Sequence, residues 1–153
     1  MPKYASERPV AHAADEMFAL VADVEAYPKF VPLCRALVVR GRNREGEREI
    51  VVADMTVAYG PVREAFTTRV TLDKAALAVA VAYLDGPFRR LDSRWSFVPT
   101  GPKSCVVHFS IDYEFRSRSL ALLMGSVFDK AFRKFATAFE ARADEVYGTK
   151  IVI

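Results

Sequence analysis

The stretch His108–Phe139, HFSIDYEFRSRSLALLMGSVFDKAFRKFATAF, changes its hydrophobic period once, and that change decides the fold. Up to Phe115 the period is two. Phe109, Ile111, Tyr113 and Phe115 point one way, and His108, Ser110, Asp112 and Glu114 the other. Such alternation describes a strand with one covered face and one wet face. After Ser117 the period becomes 3.6. Met124, Phe128, Ala131, Phe135 and Phe139 fall within a narrow arc flanked by Leu120 and Phe132. This predicts one long helix with an aromatic stripe, running to about Tyr147 with Gly148 as its stop.

Working outward, period two holds from Arg35 to Phe115, with turn signals at Asn43–Gly46, Gly60–Pro61, Asp73–Lys74, Asp85–Pro87 and Pro99–Pro102. Six strands on short connections make an antiparallel meander. Ahead of them, Lys3–Val10 reads as a strand. Ala13–Ala22 reads as a short amphipathic helix, with Met17, Phe18, Leu20 and Val21 at helical spacing. Tyr27–Pro28 and Val31–Pro32 then end regular helix, because proline disfavours helical geometry in its predecessor. They leave a compact elbow that finishes near Cys34. The fold class is therefore α+β, a curved antiparallel sheet of about seven strands wrapped around a long C-terminal helix. No linker, low-complexity stretch or internal repeat divides the chain, so residues 1–153 are expected to form a single domain.

Composition excludes a disordered chain, a collagen-like fibre and a disulfide scaffold. Hydrophobic residues make up 52% of the 153, charged residues 27%, and 11 Phe and 6 Tyr accompany a single Trp95. Net charge is 22 − 19 = +3. Arg40, Arg42, Arg44 and Arg48 are interrupted by Glu45, Glu47 and Glu49, which suits a solvated hairpin rather than a nucleic-acid arm, and DNA is not an expected partner. Cys34 and Cys105 lie far apart without metal-ligand spacing and read as reduced, buried thiols. With His12 and His108 the only histidines, zinc would need an unusual ligand mixture, so no metal site is expected. The N-terminus carries charge where a signal peptide would be apolar, and no apolar run is long enough to span a bilayer. A cytoplasmic protein is expected, its membrane contact, if any, peripheral at the inner membrane.

The inward strand phase supplies a lining: Val51, Ala53, Met55, Val57 and Tyr59; Val62, Glu64, Phe66, Thr68, Val70 and Leu72; Leu77, Val79, Val81 and Tyr83; Leu91, Trp95 and Phe97; Phe109, Ile111 and Tyr113. On composition this reads first as a solid core. A cavity for an apolar ligand is the alternative, since a curved sheet gripping one helix does not easily bring its side chains together along its whole length. Glu64 is the polar exception. It is either a hydrogen-bond group for a ligand head or a rim carboxylate paired with an arginine. His108 falls in the outward phase, and no nucleophile–base pair, paired carboxylate set or phosphate-cradling loop stands out, so no catalytic residue is assigned and an enzyme is not expected. Leu120–Met124 is apolar all round its helix, with Leu122 nearly opposite the core stripe and Leu123 on its flank. Cover by a loop, burial in a dimer, or contact with lipid beside Arg116, Arg118 and Lys130 all account for it.

These motifs resemble a known family. Asp23–Cys34 (DVEAYPKFVPLC) looks like the signature elbow of the coenzyme Q-binding START-domain family, within the polyketide cyclase/dehydrase-like superfamily. Gly86–Leu91 (GPFRRL), followed by Trp95 and Phe97, resembles its second motif. Tyr113–Ser117 (YEFRS), Phe128–Asp129, Ala138–Arg142 (AFEAR) and Tyr147–Gly148 resemble its C-terminal helix pattern. The likeness covers nearly the whole chain and implies a helix-grip (START/Bet v 1-like) fold whose long helix closes a hydrophobic tunnel. It implies ubiquinone, or a related polyprenyl lipid, as bound ligand, with no catalytic cofactor, in a carrier or chaperone serving respiration or quinone biosynthesis. The chain begins directly at the domain, as in a bacterial member. Some bacterial members are instead described as ribosome association toxins that bind the large ribosomal subunit and block subunit joining. Under this resemblance the tunnel wins over the solid core. Its expected ligand contacts are Met55, Tyr59, Phe66, Trp95, Tyr113, Leu123, Phe128 and Phe132, with Glu64 or Tyr59 holding the head and Phe30, Val31 and Pro32 at the mouth. Leu122, Arg116 and Arg118 are the expected membrane contacts.

Overall fold

The computed structural model describes residues 3–148. Seven antiparallel strands form one sheet in the order β1-β7-β6-β5-β4-β3-β2. They are β1 (Lys3–Val10), β2 (Cys34–Glu45), β3 (Arg48–Tyr59), β4 (Val62–Asp73), β5 (Ala78–Asp85), β6 (Phe88–Gly101) and β7 (Ser104–Phe115). The strands from β2 to β7 follow one another as hairpins, but β1 and β2 lie on opposite edges. The chain between them must cross the concave face. Helix α1 (Ala14–Ala22) and a 3-10 turn over Val24–Lys29 make that crossing, and this is why the proline elbow faces the core. Alternation sorts the sheet's faces: on β7 Cys105, Val107, Phe109, Ile111, Tyr113 and Phe115 are buried, while Arg90 reaches Asp112 (2.7 Å) and Glu114 (3.3 Å) on the outer face. The arginine-rich segment is an exposed hairpin, its charges paired as Arg42–Glu49 (3.3 Å) and Arg48–Asp73 (3.2 Å).

The expected single C-terminal helix is two, α2 (Arg118–Arg133) and α3 (Phe135–Tyr147). Ser117 caps the first, its Oγ accepting from the Leu120 N–H at 3.2 Å. At Lys134 the N–H donates back to the Ala131 carbonyl, a tightened 3-10 turn, and Ala138 N–H resumes the α pattern on the Lys134 carbonyl. No proline or glycine marks the break; before it α2 packs on β7 and β1, and after it α3 packs on α1. α3 is tied down by buried His12, whose Nε2 lies 2.6 Å from Asp144 Oδ1.

Candidate functional site

Between the concave face of the sheet, the elbow and the C-terminal helices lies an apolar cavity of about 90 Å³. Val24, Tyr27 and Val31–Leu33 wall it from the elbow; Phe128, Ala131, Phe132, Phe135 and Phe139 wall it from α2 and α3. The sheet contributes Leu37, Ala53, Met55, Val57, Phe66, Val70, Val81, Leu91, Trp95, Phe109 and Ile111, with two hydroxyls, Thr68 and Ser93. No Asp, Glu, His, Lys or Arg is among these lining residues. Unfilled, a void of this size costs about 2 kcal/mol at ~24 cal/mol per Å³.

Local structure explains the wall. Tyr27 stands in the 3-10 turn, its OH donating to the Val21 carbonyl and its ring packed edge-on against Phe139 at 5.4 Å. Burial drives its phenol pKa well above the ordinary value, with nearby Cys34 and Asp23 adding to the rise, so it stays neutral. Leu33 adopts φ 69°, a left-handed backbone uncommon for leucine, and its carbonyl accepts from Ala58 N–H at 3.1 Å, pinning the elbow to β3. Just behind it Cys34 is buried, which pushes its thiol up to about 11. At the far wall Trp95 packs on Phe109 (4.4 Å) and Phe139 (5.0 Å).

Of the residues expected at the ligand, Val31, Pro32, Met55, Phe66, Trp95, Phe128 and Phe132 line the cavity. The others do not. Tyr59 keeps the inward phase of β3 but pairs with Val62 at the hairpin end, where the strand outruns its cover, and it is 55% exposed. Leu123 sits on the first turns of α2, also beyond the covered face, and is 60% exposed. Tyr113 is buried but enclosed by Phe88, Phe115 and Phe132, with ring centroids 5.0–6.1 Å away, so it fills solid core. Phe30 stands behind the wall, stacked edge-on against Phe139 (5.0 Å) with the Arg142 guanidinium over its ring (5.4 Å). Glu64 holds its register opposite Val57, two residues before Phe66 on the same face, yet lies half-buried outside the lining, with no arginine partner among the described residues. Arg116 and Arg118 are exposed and Leu122 is 83% exposed.

Ser93 was the polar part of the lining missed, whereas Thr68 already stood in the inward phase of β4. Ser93 shares its phase with Leu91 and Trp95, and Thr68 with Phe66 and Val70. Alternation points both inward, but a search for large apolar side chains passes over Ser93.

Comparison with known proteins agrees with this architecture. Residues 10–140 match the family described as polyketide cyclase/dehydrase and lipid transport. The chain is similar to the ribosome association toxin RatA of Escherichia coli K12, 31% identical over 98% of this chain and 92% of that one. It is similar to the mitochondrial coenzyme Q-binding protein COQ10 of Drosophila melanogaster, 32% identical over 89% of this chain and 56% of that one. Among solved structures, the 18 kDa protein CC1736 of Caulobacter crescentus is 36% identical with a TM-score of 0.78, covering 97% of this chain and all of that one. The Zhui aromatase/cyclase of Streptomyces sp. R1128 superposes equally well (TM-score 0.78, 94% of each chain) at 16% identity, a likeness of the helix-grip fold alone.

Proposed function

The chain belongs to the polyketide cyclase/dehydrase and lipid transport family, and on that premise we propose that it binds ubiquinone or a related polyprenyl lipid and carries it without transforming it. The observation that carries this reading is the cavity itself, an apolar lining with no ionisable carboxylate, imidazole or amine facing it. Cyclisation and dehydration need a group that moves a proton at the reacting centre. The phenol of Tyr27, held neutral by burial and engaged with Val21, is poorly suited to that work. A long apolar chain is well suited to the rest of the wall, each buried CH₂ contributing about 0.8 kcal/mol.

The cavity is smaller than the ~150 Å³ that admits benzene. A ring and tail therefore enter by parting the elbow from α2, and the bound complex has a larger cavity than the free protein. Around the end of the sheet nearest that seam, topology gathers Tyr59, Leu84, Leu122 and Leu123, all largely exposed. Arg63, Arg89, Arg116 and Arg118 stand at the same end, outnumbering Glu64 and Asp85, and none of the four forms an ion pair among the described residues. Exposed leucines beside unpaired arginines suit an anionic bilayer surface, where a carrier of this kind would load.

Extraction of the protein from a quinone-producing bacterium with organic solvent, followed by mass spectrometry, tests the reading. Near-stoichiometric ubiquinone is expected. Folded protein that yields an empty extract and takes up no added quinone would overturn it. The second reading, binding to the large ribosomal subunit, is favoured by the RatA relatives, which match over nearly their full length. Cosedimentation with the subunit that weakens steeply with salt would support it, because phosphate contacts release counterions.

A further inference from the structure

A few polar groups in an otherwise apolar wall orient a ligand, and this cavity wall holds two hydroxyls that open onto its space. Thr68 is 7% exposed and Ser93 6%, both face the cavity, and neither hydroxyl has a hydrogen-bond partner among the described residues. Polar groups placed this way in an otherwise apolar wall await a ligand that supplies what the protein does not.

Register locates them relative to each other. Val70, Val81, Ser93 and Ile111 form one row across β4, β5, β6 and β7. Thr68 pairs with Tyr83, one row nearer the β5–β6 turn. The two hydroxyls therefore flank β5 on a diagonal, two strand spacings across and one side-chain repeat along. Their backbone positions are on the order of 10 Å apart, and the inward curve of the sheet brings the side chains closer. Two carbonyls on opposite edges of one six-membered ring, each reached by a hydrogen bond of about 2.8 Å, span a gap of that order. Phe66 stands two residues before Thr68 on β4 and Trp95 two residues after Ser93 on β6, so aromatic surface lies beside each hydroxyl.

We propose that Thr68 and Ser93 form the polar subsite of the cavity, donating hydrogen bonds to two oxygens on opposite edges of a neutral ring, so that a para-quinone is chosen over a hydrocarbon of equal size. The inference rests on the lipid-binding reading above and adds the basis of its selectivity. A hydroxyl both donates and accepts, so the pair suits the quinone and its reduced quinol alike. A carboxylate head is excluded, because no cation faces it from the wall.

The experiment compares decylubiquinone with decylbenzene, each displacing a bound apolar fluorophore from the purified full chain. Wild-type protein is expected to prefer the quinone at least tenfold. Ser93→Ala and Thr68→Val should each weaken quinone binding about three- to tenfold while leaving decylbenzene binding unchanged, and Thr68→Ser should restore the preference. Circular dichroism and thermal melts confirm that each variant is folded. Undiminished quinone preference in both variants would overturn the subsite and leave the lipid-binding reading standing. Wild-type protein that binds neither probe would overturn that reading, and the subsite with it.

Discussion

The concave face of the sheet has a solid end and a hollow middle, built from the same strands in the same phase. At the end by the β5–β6 turn, Phe88 is wholly buried against Phe115 (5.0 Å), Phe66 (5.4 Å), Tyr83 (5.8 Å), Phe128 (5.9 Å) and Tyr113 (6.1 Å). Gly86 in that turn has φ 142° and leans so closely on β4 that a Cβ there would lie 2.5 Å from the Phe66 Cβ. One or two rows further along, the inward positions are Thr68, Val70, Val81 and Ser93, and the face is open. Rings on β6, β7 and α2 meet across the gap at one end; hydroxyls and valines in the middle do not reach. The lesson is that the cavity is held open by its ends. Large side chains fix the height of the helix above the sheet, and small ones below it leave room.

Removing the plug should have the largest effect. Phe88→Ala is expected to destabilise the protein by about 3–5 kcal/mol, the usual range for a buried phenylalanine, measured by urea unfolding. A loss below about 1 kcal/mol would mean the two regions do not differ in packing. Trp95→Ala, in the hollow wall, should separate binding from folding. We expect quinone affinity to fall about a hundredfold, equivalent to roughly 2.7 kcal/mol, against a smaller loss of stability; equal losses would mark Trp95 as plain core.

A pH titration compares two buried thiols, one beside the hollow region and one at the end of the sheet away from the solid one. Burial raises both Cys34, beside the elbow, and Cys105, on β7, from 9.0 to about 11. The unfolded chain therefore loses these protons first. Stability is fully present below pH 9 and declines as pH rises through the interval to 11. Alanine at both positions should flatten that segment of the stability profile, and an unchanged slope would assign it to other groups. The smallest stability effect is expected outside both regions. Leu122→Asp should leave unfolding free energy within about 0.5 kcal/mol, as for an exposed position, while reducing flotation with vesicles rich in phosphatidylglycerol. Unaltered flotation would remove the membrane contact.

Much of this architecture was legible because it is written in local periods. Alternation from Arg35 to Phe115 specified the meander, the proline pairs around Tyr27 and Val31 specified the elbow, and the stripe from Met124 to Phe139 specified the face of the closing helix. Met55, Phe66 and Trp95, inward by strand phase, line the cavity. Phase records which way a side chain points, however, and not what stands opposite it. Tyr59 and Leu123 sit where strand and helix run past their cover, and Tyr113 has the inward phase but meets Phe88, Phe115 and Phe132 instead of space. Lys134 breaks the helix with no residue signal, because the turn answers to partners on α1, β1 and β7.

The sequence by itself thus determined the order of elements, their buried faces and the apolar character of the interior, all set by neighbours a few residues apart. Only the tertiary structure decided where that interior is full and where it is hollow, and that Thr68 and Ser93 lack partners. Those facts depend on the distance between a curved sheet and a bent helix, a distance set by the summed volumes of side chains remote in sequence.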